Sequence, residues 1–142
     1  MNDFFASLYE GFNPLNLFYI DNFSNDMYES GSYVTMGWSL IIITVVMIVL
    51  YYFLISNYGK FYKKIWWLIY VLVVGVINFA TAYNISFSAM EDLFMTSEDG
   101  NPYGFTEYFQ LGMVNVLYGI LLSFVLSMIL KFKSIQATRT PF

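Results

Sequence analysis

The side chains in this sequence that can do chemistry are few, and most of them are neutral. Among 142 residues there is no His and no Cys, which removes imidazole and thiol chemistry, disulfides and the usual zinc ligands. What remains inside the apolar parts of the chain is a set of amides, hydroxyls and glycines: Gly75 and Asn78, then Gly112, Asn115, Gly119, Ser123 and Ser127. Ser123 and Ser127 have no His or Lys beside them at membrane depth to act as a base, so nucleophilic catalysis is not expected. No P-loop, dinucleotide loop or HExxH sequence is present; such motifs supply the phosphate cradle or metal ligands that enzymes of those classes need. Ion-coupled transporters commonly place ionisable groups within their spans, and these runs carry none. The expectation is a non-enzymatic protein with no cofactor and no metal.

The charged groups form a second pattern. Residues 1–35 hold Asp3, Glu10, Asp21, Asp26 and Glu29 and no base, and residues 84–108 hold Glu91, Asp92, Glu98, Asp99 and Glu107 and no base. Lys60, Lys63 and Lys64 fall in residues 57–64, and Lys131, Lys133 and Arg139 in residues 131–142, with no acid in either. Acids and bases therefore alternate by segment. Between them lie three uncharged runs, 36–56, 65–83 and 109–130. Each provides roughly 30 Å of helix at 1.5 Å per residue, enough to cross a hydrocarbon core. A chain that is 58% hydrophobic and 11% charged has no soluble shell to bury three such runs, since soluble domains carry about a quarter charged residues.

The implied fold class is an all-α integral membrane protein with three transmembrane helices. Basic residues beside span ends favour the cytoplasm. This places the 57–64 loop and the 131–142 tail inside, and the 1–35 segment and the 84–108 loop outside. The six cations mark topology and meet lipid headgroups. Trp38, Tyr83 and Tyr108 fit an outer aromatic belt, and Tyr51, Tyr52, Trp66 and Trp67 an inner one. The N-terminus lacks the basic region and apolar run of a signal peptide, so no cleaved leader is expected.

Residues 3–30 read as one or two amphipathic helices on the outer surface. Phe4, Leu8 and Phe12 share one face, Asn13-Pro14 interrupts the pattern, and Ile20, Phe23 and Met27 resume it. Interfacial helices are usually basic, whereas this segment is acidic, so it rests either on lipid or on protein. Residues 89–95 suggest another short surface helix. Residues 96–104 are turn chemistry without calcium-loop spacing. Asn22-Phe23-Ser24 and Asn84-Ile85-Ser86 match the glycosylation triplet.

The first span is rich in Ile, Val and Leu, with Thr44 as its only mid-span polar residue, and is expected to face lipid more than the others. In the third span Gly112, Asn115, Gly119, Ser123 and Ser127 fall on one stripe at about 100° per residue. Small residues permit close helix approach in lipid, and polar ones bond across the contact. Counting the rise places Asn78 and Asn115 each about 9 Å below the outer ends of their spans. An antiparallel pair crossing at Gly75 and Gly119 and pairing its asparagines follows. The stripe has two readings, helix packing or the lining of a pore or subunit interface. The expected function is accordingly a membrane subunit that oligomerises and anchors or scaffolds a larger membrane assembly. The alternative is a homo-oligomeric pore lined by Asn115, Gly119, Ser123 and Ser127. The expected partners are membrane lipid and either a second copy or another membrane or envelope protein, in a bacterial inner membrane. The acidic balance speaks against nucleic acid.

Overall fold

A computed structural model describes residues 1–57, 61, 63–97 and 100–130. Lys60, Lys131, Lys133 and Arg139, and the Glu98-Asp99 turn, lie outside the described residues. Among the described residues the chain is all-helical, and three helices are long and apolar enough to cross a membrane.

Two short helices come first, α1 (Asn2–Glu10) and α2 (Phe23–Glu29). Gly11 ends α1 in the left-handed region, at φ 86°. Its N–H returns to the Leu8 carbonyl and the Phe12 N–H to that of Ser7, satisfying acceptors that a helix end leaves free. A Cβ at Gly11 would stand 2.7 Å from the Leu17 nitrogen, so only glycine suits both the dihedral and the space. The Asn13–Pro14 peptide in the connection is cis.

The three long helices are α3 (Ser32–Phe53), α4 (Lys64–Leu93) and α5 (Phe105–Leu130). A 3₁₀ turn, Ile55–Asn57, follows α3. By rise they measure about 33, 45 and 39 Å. The α4–α5 pair is the most extensive contact, and α3 packs on both. Residues 84–93 continue α4 without a break, so the stretch 89–95 is no separate surface helix. Ser86 makes this possible inside the bundle by returning its hydroxyl to the Ala82 carbonyl at 2.8 Å. The extra turns also place Asn78 about 22 Å from the end of α4, and Asn115 about 15 Å from the start of α5, deeper than the span-based count of 9 Å.

Both short helices rest on the chain's own spans. α1 contacts α3 and α5, and α2 contacts α3 and α4. One buried cluster joins Phe5, Tyr9, Phe23 and Met27 to Met36, Ala82, Met90, Tyr108 and Leu111. A second, at the opposite end, holds Ile48, Tyr51, Tyr52, Trp67 and Val71. The acidic segment thus has a protein surface beneath it. The large apolar side chains on the outward faces of α3, α4 and α5, such as Ile42, Leu72, Val76 and Leu121, are exposed.

Candidate functional site

The neutral polar groups assemble into a ladder through the middle of the bundle. Its best-connected rung is Asn115. The Tyr9 hydroxyl donates to Asn115 Oδ1 at 2.5 Å, and Asn115 Nδ2 donates to the Asn78 backbone carbonyl at 2.8 Å. Asn78 Nδ2 in turn donates to Thr44 Oγ1 at 3.0 Å. All of Asn78, Asn115 and Thr44 are fully enclosed. Four helices, α1, α3, α4 and α5, are therefore tied at one level. The asparagines do meet, but through the amide of one and the backbone of the other rather than side chain to side chain. Thr44 corrects the expectation for the first span: it is a bonded member of the core, and α3 is not the helix left to lipid.

At the contact between α4 and α5 each glycine faces a side chain of the other helix. A Cβ at Gly75 would meet Val116 at 3.3 Å, whereas one at Gly119 would stand 2.9 Å from Asn78 Nδ2. Gly119 is thus the slot that admits the Asn78 amide. A Cβ at Gly112 would stand 2.7 Å from the Phe79 ring. Each glycine accepts a side chain from the facing helix, which is why a small residue is needed there.

Toward the Lys63 end, Trp67 Nε1 donates to Ser127 Oγ at 3.0 Å, and the Tyr52 hydroxyl lies beside this pair. Ser123 lies one helical turn from Ser127, wholly enclosed, and its hydroxyl has no hydrogen-bond partner; Asn78 Oδ1 is likewise unpartnered. All seven residues of the small and polar set, Gly75, Asn78, Gly112, Asn115, Gly119, Ser123 and Ser127, are buried within a single chain. Lys63 and Lys64 are exposed at the start of α4.

The docking of α1 uses Phe5 and Tyr9, which the sequence places alongside its apolar face, and Gly37 and Tyr118, which it does not single out. The Phe5 ring occupies the space above Gly37, where a Cβ would collide with Phe5 Cδ1 and Cε1. The Tyr9 ring stacks on Tyr33 at 5.6 Å. The Tyr118 hydroxyl donates to the Leu8 carbonyl at 2.7 Å. The available signal was Gly37 itself, a small residue in a run of large ones. Trp67 was seen only as bulk and as a belt residue, although a buried indole N–H needs an acceptor.

Above the ladder, the acidic end is closed by tyrosine–carboxylate contacts. The Tyr28 hydroxyl donates to Asp3, and the Tyr103 hydroxyl donates to Asp26. Asn101 donates to the Tyr108 hydroxyl at 2.7 Å and accepts from the Tyr103 N–H at 3.0 Å. Phe23 meets both Tyr103 and Tyr108 edge-on, at 5.0 and 5.5 Å. Burial first, then the bond to Asp26, raises the Tyr103 phenol above its ordinary range. Tyr28 is raised first by its bond to Asp3, and Tyr9 first by burial. These groups stay protonated donors near neutrality. The ladder's amides and aliphatic hydroxyls carry no charge, so what this arrangement does is hold helices in register.

No family model, curated protein or solved structure matches the chain. Function must be argued from this geometry alone.

Proposed function

We propose that the chain is a non-catalytic integral membrane subunit that oligomerises and anchors or scaffolds a larger membrane assembly. It would sit in a bacterial inner membrane with the α1–α2 end outside and the Lys63 end in the cytoplasm. The observation that carries this reading is the enclosure of the polar ladder. Asn115, Asn78 and Thr44 are spent on one another and on Tyr9, and Ser127 on Trp67. Asn115, Gly119, Ser123 and Ser127 are all buried inside one chain and present no face to a passage between copies, which weighs against the pore. What the chain offers its surroundings is surface: apolar helix faces and an ordered acidic cap.

The cap carries a feature suited to docking. In the loop after α1, Phe12, Leu15 and Leu17 are 53%, 67% and 66% exposed. They project from a segment whose neighbours, Glu10 and Phe18, are joined by a backbone bond of 3.1 Å. Orientation follows from the charge alternation and the preference of basic loops for the cytoplasm.

The test is purification in mild detergent followed by native mass measurement. The wild-type chain should emerge with copies of itself or with partners. Replacing Phe12, Leu15 and Leu17 together by Ser should release those partners while the bundle stays folded, since these side chains are exposed. A wild-type protein that elutes as a lone monomer overturns the subunit reading. Ion flux through liposomes containing only this chain would revive the pore.

A further inference from the structure

We propose that the groove between the end of α3 and the start of α4 is a binding site for one anionic phospholipid, with an acyl chain in the groove and the phosphate against Lys63. The groove has a volume of about 500 Å³ and is walled by Tyr51, Ile55, Phe61, Trp66, Tyr70 and Val73. That volume lies within the ordinary range for small-molecule sites, roughly 300–1,000 Å³.

Its walls present almost nothing but carbon, and the reason is specific. The two phenols that line it are already committed inward. The Tyr51 hydroxyl donates to the Phe61 carbonyl at 2.7 Å, and the Tyr70 hydroxyl donates to the Met47 carbonyl at 2.9 Å. The first of these bonds also ties Phe61 to α3. Two ring pairs stiffen the walls, Tyr51 with Tyr70 and Phe61 with Trp66, each at 5.0 Å. A groove held open in this way needs little rearrangement of its own walls on binding, and an apolar chain is the ligand it fits.

Lys63 supplies the charge. It is exposed, and its carbonyl accepts the first bonds of α4, from Trp66 at 3.0 Å and Trp67 at 3.2 Å. Its backbone is therefore fixed one turn before Trp66, a wall residue. No carboxylate occurs in residues 57–64 to compete for the Lys63 ammonium. An exposed basic residue one turn from the wall of an apolar, aromatic slot complements a molecule with a negative head and a hydrocarbon tail. A second apolar groove of similar volume lies between α4 and α5, lined by Gly75, Val76, Phe79, Met113 and Val116 among others. Like the first it has no charged residue in its lining, but no Lys or Arg lies within the helix stretches that form it, 72–79 and 109–120, so it serves as an internal comparison.

The test uses the full chain in detergent micelles with dioleoyl phosphatidylglycerol and dioleoyl phosphatidylcholine, read by native mass spectrometry. One basic residue near the headgroup should favour the anionic lipid by about fivefold. Lys63→Ala should abolish that preference. Ile69→Trp, which fills the groove from a lining position, should reduce retention of both lipids, whereas Val76→Trp in the other groove should leave the preference intact. Dihexanoyl phosphatidylglycerol, with the same head and short chains, should be retained less than the dioleoyl lipid. Equal retention of the two headgroups by the wild type overturns the proposal. So does a preference that survives Lys63→Ala, or retention indifferent to Ile69→Trp. Lys63 is on the surface, so that variant folds even where a tryptophan substitution fails. The site requires only that the chain sits in a bilayer, so its failure would leave the subunit reading standing.

Discussion

The contact between Tyr9 and Asn115 decides whether α1 belongs to the bundle, and a double-mutant cycle measures it. Tyr9→Phe removes one hydroxyl and leaves the ring on Tyr33. Asn115 Oδ1 then loses its donor in an enclosed site. Leaving a buried acceptor unpaired costs about 1–3 kcal/mol, and interhelical bonds in membranes average about 0.6 and reach about 1.7 kcal/mol. We expect about 1–1.5 kcal/mol for Tyr9→Phe, within the overlap of those ranges. Asn115→Leu loses two bonds, from Tyr9 and to the Asn78 carbonyl, and strands the Tyr9 hydroxyl. It should cost about 2–3 kcal/mol, the larger figure reflecting two orphaned partners. In the double variant the Tyr9–Asn115 bond is already gone and no hydroxyl is stranded. The combined loss should therefore fall short of the sum by roughly 1 kcal/mol, the usual size of coupling between residues in contact. The assay is reversible unfolding by dodecyl sulfate in mixed micelles, followed by circular dichroism. Additive losses would mean the bond is not made, which would refute the four-helix tie at Asn115.

The serines give an opposed pair in the same assay. Ser123→Ala should be neutral or slightly stabilising, because its enclosed hydroxyl has no partner to lose, while Ser127→Ala should destabilise by about 1 kcal/mol through loss of the Trp67 bond. Gly119→Ala should cost about 1–3 kcal/mol by driving a methyl into the Asn78 amide, and Gly31→Ala should show only the backbone effect of its positive φ, since nothing lies within 4 Å of the added carbon. The cap should be alkali-labile. Tyr103, Tyr28 and Tyr9 are all raised above the ordinary phenol value. The unfolded cap therefore releases protons first, near pH 10, and the stabilisation is complete below that pH and lost as pH rises through the folded values. Hydrogen exchange of residues 2–29 should accelerate above pH 10 before that of α4 and α5; simultaneous opening would contradict it. For topology, a cysteine at Ser97 should react with an impermeant reagent from outside and one at Ser134 should not, and the reverse labelling would invert the orientation.

The three long helices were legible because a bilayer demands uncharged runs of about twenty residues, and this chain has three with the charges sorted between them. The buried stripe of α5 was legible too, since five small or polar residues at helical spacing have one face in common. What the stripe touches was not. Asn115 reaches Tyr9 across 106 positions, and no local pattern encodes that. Tyr9 itself looked like one more residue on an amphipathic face, because whether a phenol meets lipid, water or an amide is settled by tertiary packing. The limit at residues 84–93 has a different cause. Asn84, Ser86, Ser88, Glu91 and Asp92 resemble a polar loop, yet Asn84 and Ser86 return their side chains to carbonyls four residues earlier, and the helix continues past the apolar run.

The place of the ladder in the bundle has a consequence for how the α1–α2 surface is presented. Three apolar helices in lipid could slide or rotate by small steps, since lipid tails give little preference for one apolar contact over another. Here Asn78 bonds toward α3 and receives α5, and Asn115 receives α1. A shift of any one helix by a single turn would break bonds on the others. The Tyr118–Leu8 and Tyr103–Asp26 contacts then carry that register outward, through α1 and α2 and into the 101–104 loop. Phe12, Leu15 and Leu17 are therefore held by a chain of bonds that begins in the core. If the proposed subunit role holds, a mutation of Asn78 should thus alter partner capture at the cap from a distance, read by the same mild-detergent purification, while leaving every residue of that surface unchanged.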